Sequence, residues 1–168
     1  MEHVFSTWAH VEARLAQASH VFLFTDYDGT LCPIVKVPEL AVLSPETRAV
    51  LGRLARHSRY TLGVISGRAL EDVMNRVGIP GIIYAGNHGL EIQGPGIHYL
   101  HPQSQHLRPL LLDMERALGQ AMASIPGTRV ENKGLSVSVH YRLVENARIP
   151  EVREAFDRVV GPAVRQGR

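Results

Sequence analysis

Two carboxylates one residue apart, Asp26 and Asp28, end an apolar run in the stretch FLFTDYDGTLCPI. Residues two apart on an extended backbone point the same way, so these carboxylates repel each other unless a cation or a proton relieves them. Mg²⁺ suits such a pair, because it takes a few oxygen ligands and completes its octahedron with waters and a phosphate. One carboxylate could attack a phosphorus atom, while the other protonates the leaving oxygen and then activates water. The alternative interpretation is a solvated Asp-Gly turn.

The residues next to these carboxylates fit the same chemistry. Gly29 allows a tight turn, in which backbone N–H groups could bind phosphate oxygens. In GVISGR, Ser66 and Gly67 end a second apolar run just before a predicted helix. A hydroxyl and free N–H groups at a helix N-terminus form an anion site, although Ser66 could also simply cap the helix. Arg68 is either a solvated helix residue or a substrate contact.

The elements that would position these residues follow from the apolar pattern. Continuous apolar runs predict strands at 21–25, 60–66 and 81–86, and helical periodicity predicts helices at 44–58 and 69–78. The first run has no polar alternation, which predicts a strand covered on both faces. Strands that alternate with helices predict an α/β fold with a doubly wound parallel sheet.

The pattern changes after Gly86. Two short strands around a Gly-Pro-Gly turn are predicted first, and a helix follows from about Leu107. Two further strands come next, and strict alternation in LSVSVHYRL predicts one packed face and one face toward solvent or a cleft. A final helix is predicted in PEVREAFDRVVGPAVRQ. We therefore predict two units: residues 1–89 as the N-terminal part of a core, and residues 90–168 as an inserted α+β cap.

Composition excludes several classes of function. Lys and Arg number 18 against 16 Asp and Glu, and no basic run of the kind that binds nucleic acid is present. No apolar stretch approaches the roughly 18 residues of a membrane span, and the N-terminus predicts an amphipathic helix, not a signal peptide. The single cysteine, Cys32, excludes an internal disulfide and suits a reducing cytoplasm. We interpret it as a small buried residue.

DYDGTL after a buried strand, with VISGR following, resembles the first two motifs of the haloacid-dehalogenase-like (HAD) phosphatases. Together with YAGNHGLEI and VENKGLSVSVHYR, these motifs closely resemble the trehalose-6-phosphate phosphatases over roughly Phe22 to Arg142. The resemblance implies a HAD-like fold with a Rossmann-like core and a mobile α+β cap. It also implies Mg²⁺ as cofactor and a small sugar phosphate as substrate, with no nucleic-acid or membrane partner.

Roles for individual residues are carried over from the resemblance. It implies that Asp26 is the nucleophile and Asp28 the general acid/base, that both are metal ligands, and that Ser66 holds the phosphate. Glu131 and Lys133 on the cap would contact the sugar, although a surface ion pair is the alternative. The other residues that we predict around the substrate are Tyr27, Gly29, Thr30, Gly67, Arg68, Asn87 and His88. A structural hydrogen-bonding role is the alternative for His88. For His140 and Arg142 a solvated strand face is the stronger interpretation.

Two motifs that the family places after the cap have no counterpart in this sequence. One is a lysine that pairs with the nucleophile, and the other is a Gly-Asp-Asp-like metal segment. Lys36 and Lys133 are the only lysines, and neither lies at the expected place. We therefore interpret the chain as an N-terminal portion that is inactive alone, with an incomplete core and an unpaired sheet edge prone to association.

Three rival functions remain open. Another capped HAD sugar phosphatase, for example one acting on sucrose phosphate, would carry the same core motifs. A non-catalytic fragment that binds a sugar phosphate would explain why the late motifs are missing. A phosphate-accepting signalling domain of the receiver type also has acidic strand ends, but it has no use for an insert with Glu131 and Lys133.

Overall fold

A computed structural model of the chain describes residues 3–166. Two sheets and their flanking helices follow one another along the chain. The strands are β1 (Val21–Asp26), β2 (Tyr60–Ile65), β3 (Ile83–Gly86), β4 (Glu91–Gly94), β5 (Ile97–Leu100), β6 (Arg129–Asn132) and β7 (Val137–His140). The helices are α1 (Trp8–Gln17), α2 (Pro45–Arg56), α3 (Leu70–Val77), α4 (Ser104–Ala121) and α5 (Ile149–Arg165). No helix within 3–166 is both long and apolar enough to cross a membrane.

The first sheet has the strand order β1-β2-β3-β4-β5. Strands β1, β2 and β3 are parallel, which confirms the predicted α/β class, and β4 and β5 then add in antiparallel orientation. The sequence grouped the β4–β5 hairpin with the cap, whereas its backbone hydrogen-bonds to β3. This sheet therefore extends past residue 90, and the proposed division into two units stays a prediction.

The two core helices begin and end where their sequence signals predict. Ser44 caps α2 by accepting a hydrogen bond from the backbone N–H of Thr47 at 3.1 Å, and Pro45 takes the first helical position. Gly78 ends α3 in the left-handed conformation with φ 62°. The guanidinium of Arg48 donates to carbonyls at the end of α3, so α2 and α3 are tied together as well as packed.

Two separate apolar clusters stabilise the chain. The first lies between β2, β3 and the helices α2 and α3, with Leu62, Val64 and Val73 among its buried side chains. The second lies between the β6–β7 hairpin and the helices α4 and α5, around Leu118 and Val152. Val137 and Val139 of β7 pack on the second cluster, so the predicted alternation is confirmed. The opposite face of β7 is thereby turned away from α4 and α5.

Strand β1 differs from its prediction. Its side chains were expected to be covered on both faces, but Phe22 is 67% exposed and Phe24 is 47% exposed. Within residues 3–166, β1 pairs only with β2, so one backbone edge has no strand beside it. A continuous apolar run predicts that a strand is buried but does not indicate which element covers it. In this structure no described element covers the face of β1 that carries Phe22 and Phe24.

Because an open apolar edge is a template for pairing, we predict concentration-dependent self-association through β1. Phe22→Lys should reduce the associated fraction in sedimentation-velocity experiments, since a charged side chain would then stand on that edge. Val42 is a matched control, because it is 66% exposed but lies in a loop. Equal association of the Phe22→Lys and Val42→Lys proteins would contradict a role for β1.

Candidate active site

The carboxyl ends of the three parallel strands bring the predicted motifs together. Asp26 is opposite Ile65 in the β1–β2 register, and Ile65 is opposite Ala85 in the β2–β3 register. The residues that follow these strand ends are Asp28, Ser66 and Asn87, so the three motifs share one edge of the sheet. This is where ligands bind in open α/β sheets.

The turn after β1 has the conformation that its glycine predicts. Gly29 has φ 83° and donates its N–H to the carbonyl of Cys32 at 2.9 Å. Tyr27 points the other way: it is completely buried in the first cluster, and its hydroxyl donates to the carbonyl of Ala41 at 3.0 Å. Burial raises the pKa of Tyr27. Its side chain thus supports the turn from inside the core and does not reach a substrate.

A cavity of about 370 Å³ lies between this edge and the β6–β7 hairpin. Half of the predicted site residues line it, namely Asp28, Gly67, Arg68, His88, Glu131 and Lys133. The predicted residues outside its lining are Asp26, Tyr27, Gly29, Thr30, Ser66 and Asn87. Five lysines and arginines line the cavity against two carboxylates. Of these cations, Arg129 was not predicted as a site residue, and Lys36 was considered only as a misplaced lysine. The excess of cations favours an anionic ligand.

Arg68 is bound to Asp28 through two hydrogen bonds. Its Nε donates to Asp28 Oδ2 at 2.9 Å and its Nη2 to Asp28 Oδ1 at 2.7 Å, the bidentate geometry that suits a guanidinium and a carboxylate. Nη2 also donates to the carbonyl of Pro38 at 2.9 Å. Arg68 was predicted as a substrate contact, and in this structure it orients the carboxylate that was predicted to be the acid/base.

A second carboxylate holds Arg68 from behind. Asp72, in the first turn of α3, accepts from Arg68 Nη1 and from Arg76 Nε, both at 2.9 Å. Burial alone would lower the pKa of Arg68, but the hydrogen bonds to Asp28 and Asp72 outweigh it and raise the pKa. Burial raises the pKa of Asp72, but the hydrogen bonds and charges of Arg76 and Arg68 lower it by more, so the pKa is lower than usual. Arg68 therefore stays a fixed positive charge beside Asp28.

Ser66 is buried and bonded within its own loop. Its hydroxyl accepts from the backbone N–H of Arg68 at 3.1 Å, a bond inside the loop. The helix cap considered beside the anion site is not formed by Ser66, because the N-cap residue of α3 is Ala69. Next to it Gly67 is required by close approach, since a Cβ there would lie 2.5 Å from Cε1 of His88. The loop is thus shaped so that the His88 ring lies directly over Gly67.

Glu131 and Lys133 reach the cavity from β6 and the loop after it. Lys133 Nζ donates to the carbonyl of Gly67 at 2.9 Å, which links this loop to the Ser66–Arg68 segment. Glu131 Oε2 lies 2.7 Å from Nε2 of His140 on β7. His140 was predicted to lie on a solvated strand face, yet the β6–β7 register makes it a diagonal neighbour of Glu131. The alternation of side chains along β7 places His140 on the face that is opposite to Val139 and turned away from α4 and α5.

Two further contacts join the hairpin to the core. Arg129 on β6 forms an ion pair with Glu39 at 2.5 Å, and Arg142 Nη1 donates to the carbonyl of Val35 at 2.9 Å. Both arginines line the cavity. They lie 90 or more positions from their partners in sequence, so no local pattern could have indicated these contacts.

The Glu39–Arg129 pair predicts a measurable titration. The hydrogen bond from Arg129 is the main cause that lowers the pKa of Glu39 to about 2. The pKa of Glu39 is lower in the folded protein than the ordinary carboxyl value of about 4.3. The stabilisation by the ion pair is therefore complete above about pH 4.3 and is lost as the pH falls toward the folded-state pKa. A carbon-13 titration should show a Glu39 midpoint near 2 that rises in Arg129→Ala toward the ordinary value of about 4.3. An ordinary midpoint in the unsubstituted protein would show that the pair does not form in solution.

The described residues do not by themselves form a complete magnesium site. Both oxygens of Asp28 accept from Arg68, and Asp26 at the end of β1 lies outside the cavity lining. Within residues 3–166, no group of three or more His, Cys, Asp or Glu side chains could hold a metal ion. Asp28 is bound to Arg68, so Asp26 and Asp28 supply only part of a Mg²⁺ donor set, and waters and a substrate phosphate would have to complete it.

Comparison with solved structures agrees with this fold. The structure resembles that of the Candida albicans trehalose-6-phosphate phosphatase C-terminal domain, with a TM-score of 0.81 and 19% identity over 95% of this chain and 55% of that one. A trehalose-6-phosphate phosphatase related protein gives a TM-score of 0.74 at 22% identity, over 84% of this chain and 60% of that one. The fold is therefore the HAD-like α/β fold.

Sequence comparison then gives the family. Residues 24–163 match the family model for trehalose-phosphatase, and the chain belongs to that family. It is 42% identical to the trehalose-phosphate phosphatase of Mycobacterium tuberculosis, over 79% of this chain and 34% of that protein. It is 36% identical to trehalose 6-phosphate phosphatase RA3 of Zea mays, over 93% of this chain and 48% of that protein. The chain thus spans between a third and a half of the length of these relatives.

Proposed function

We propose that the site at the carboxyl ends of β1, β2 and β3 hydrolyses trehalose 6-phosphate to trehalose and phosphate. The observation that carries the proposal is the cavity in which Asp28, held by Arg68, faces Glu131 and Lys133 across a surface rich in cations. The excess of positive charge suits a phosphate, and a carboxylate and an ammonium together suit the hydroxyl groups of a sugar. Membership of the trehalose-phosphatase family makes trehalose 6-phosphate the leading substrate.

In the proposed reaction an oxygen of Asp26 attacks the phosphorus, and the bond from phosphorus to the sugar oxygen breaks. Asp28 gives its proton to that oxygen, which leaves as a trehalose hydroxyl. A water molecule then attacks the aspartyl-phosphate while Asp28 takes a proton from it, so phosphate is released and both aspartates return to their starting state. Each Asp28 oxygen has a second lone pair beside its bond to Arg68, and the proton that Asp28 gives up, and later takes from water, would be carried there, facing the reacting oxygen.

Substrate binding is assigned to the two sides of the cavity. On the core side, Ser66 and the backbone at Gly67 would hold the phosphate. On the hairpin side, Glu131 and Lys133 would contact the sugar, and His140 would hold Glu131 in place. Lys133 already spans the cavity to Gly67, so it lies within reach of both parts of the substrate.

Dependence on Mg²⁺ belongs to the proposal for the whole site. Bound Mg²⁺ would neutralise the charge of the phosphate as the nucleophile approaches. Asp26 and Asp28 are the carboxylates at the strand end, but Asp28 is bound to Arg68. We propose that this chain alone therefore hydrolyses trehalose 6-phosphate poorly. A cytoplasmic location is part of the same proposal, because the one cysteine is a buried free thiol.

The test compares two proteins on a panel of sugar phosphates with Mg²⁺. One is this chain alone, and the other is a chimera in which the matched 134-residue segment of this chain replaces its counterpart in the Mycobacterium tuberculosis relative. We expect the chimera to release phosphate from trehalose 6-phosphate in preference to sucrose phosphate and glucose 6-phosphate, and the chain alone to be slow. A chimera without that preference would favour another sugar phosphatase. Fast turnover by the chain alone would show that the described residues suffice.

One observation favours a second candidate, a non-catalytic unit that binds a sugar phosphate. Five cationic side chains line the cavity and would bind an anion, whereas residues 3–166 contain no group of three or more donors for a metal ion. Calorimetry with trehalose 6-phosphate would support this candidate if the chain bound the compound and the chimera did not hydrolyse it.

A further inference from the structure

The turn after β3 holds two consecutive residues in an unfavourable backbone conformation. Asn87 has φ 48° and His88 has φ 58°, and these are the only residues other than glycine with positive φ in the described chain 3–166. Such residues cost of the order of 1–3 kcal/mol each and persist only where their surroundings hold them. The contacts of this turn therefore indicate what the strain achieves.

Asn87 uses all of its side chain to join the core to the β6–β7 hairpin. It is completely buried, its Nδ2 donates to Glu91 Oε1 at 2.7 Å and to the carbonyl of Lys133 at 3.2 Å, and its Oδ1 accepts from Ser136 Oγ at 2.7 Å. A side chain so placed is not available to a substrate. Asn87 was predicted as a substrate contact, and its surroundings assign it to holding the turn.

The backbone of the same turn is tied to the Ser66–Arg68 loop. The N–H of Asn87 donates to the carbonyl of Arg68 at 2.7 Å, and the N–H of His88 donates to the carbonyl of Ser66 at 3.0 Å. These bonds leave the imidazole of His88 over Gly67, facing the cavity. Within residues 3–166 its ring nitrogens have no hydrogen-bond partner, so they are free to bind a ligand at the place where the phosphate is expected.

We propose that Ser136 and Asn87 are positioning residues that hold the His88 imidazole over Gly67 as a ligand for the phosphate group. This inference rests on the proposed function, because it takes the phosphate to lie at the Ser66–Gly67 loop. Ser136 acts from the hairpin, so His88 is correctly placed only when the hairpin is seated on the core. An imidazole N–H then donates to a phosphate oxygen in addition to the bonds from the loop backbone.

The first test needs no ligand. In wild-type protein we expect a nuclear Overhauser effect between the Hε1 proton of His88 and the Hα protons of Gly67, since the ring lies on that Cα. Ser136→Ala should abolish this signal, and Ser136→Thr should keep it because a hydroxyl remains. Ser138→Ala is the matched control: it removes a hydroxyl from the same face of the hairpin, and Ser138 has no side-chain hydrogen bond within the described residues. A signal retained in Ser136→Ala would overturn the positioning role.

The second test uses inorganic phosphate and isothermal titration calorimetry. Loss of one hydrogen bond to a charged group corresponds to roughly a tenfold weaker affinity, so Ser136→Ala and His88→Ala should each weaken phosphate binding by about that factor. Because both act through one ring, the double variant should lose no more than either single variant. Additive losses would show that Ser136 acts apart from His88 and would overturn the inference.

Two outcomes separate the inference from the function on which it rests. If wild-type protein gives the His88–Gly67 signal but binds no phosphate, the phosphate role of the cavity fails and the proposed function fails with it. If phosphate binds and Ser136→Ala changes neither signal nor affinity, only the inference fails. Should Ser136→Ala not fold, Asn87→Gly serves in its place, because glycine keeps positive φ without strain while removing the Asn87 side chain that accepts from Ser136.

Discussion

Asp26→Asn should reduce phosphate release from trehalose 6-phosphate by about 10⁴-fold or more in the chimera with the Mycobacterium tuberculosis relative. An amide is a far weaker nucleophile than a carboxylate, so the aspartyl-phosphate would not form. Asp26 is exposed at the end of β1, and asparagine has nearly the same shape, so the fold should be unchanged. The measurement is the initial rate of phosphate release at saturating substrate.

Two further variants show whether such a loss is specific. Asp28→Asn removes the proposed proton donor but not the nucleophile, so it should permit slow formation of a phosphoryl-enzyme that can be trapped by acid quenching. Asp157→Asn on the exposed face of α5 should leave the rate unchanged. The nucleophile would lie elsewhere if Asp26→Asn kept more than about a hundredth of the wild-type rate.

Arg68→Ala should lower the free energy of unfolding by about 2 kcal/mol. The arginine is buried, and its removal leaves Asp28 and Asp72 without the cation that pairs with both. The estimate is smaller than for a fully buried pair, because these carboxylate side chains are 44% and 40% exposed and water can solvate them. Urea unfolding followed by circular dichroism measures the change.

Arg68→Lys is the informative companion, since an ammonium keeps the charge but cannot form the bidentate pair. Arg68→Lys should recover part of the stability that Arg68→Ala loses, but Asp28 would remain poorly oriented. A chimera with Arg68→Lys should therefore be more stable than one with Arg68→Ala, while its rate of phosphate release stays low. Arg116→Ala is the matched control, because Arg116 is 74% exposed in a pair with Asp113 at 3.8 Å. That change should cost close to nothing. A similar loss of stability in both alanine variants would show that Arg68 has no special role.

The sequence predicted the strand-end motifs well, because their signals are local. Apolar runs followed by Asp26, Ser66 and Asn87 define three strand ends, and parallel strands bring such ends to one edge. The turn at Gly29 and the helix end at Gly78 were likewise predictable from the backbone freedom of glycine.

What the sequence did not predict depends on contacts between distant positions. Arg68 meets Asp28 across 40 positions, and Ser136 meets Asn87 across 49. From a single sequence each of these residues is assigned a local role, such as substrate contact or solvated strand residue. The neighbouring residues do not indicate which distant residue it contacts. The exposure of Phe22 could not be predicted for the same reason. Its apolar neighbours predict burial, but its actual exposure depends on which elements lie beside β1.

The separation of the two apolar clusters has a thermodynamic consequence. They share no buried side chain, and polar contacts such as Lys133 to Gly67, Arg129 to Glu39 and Ser136 to Asn87 connect the hairpin to the core. Moving the hairpin away would break these contacts but expose little apolar surface, so the heat-capacity change should be small. Such a movement would also respond weakly to urea and strongly to ionic strength, in contrast to unfolding of either cluster.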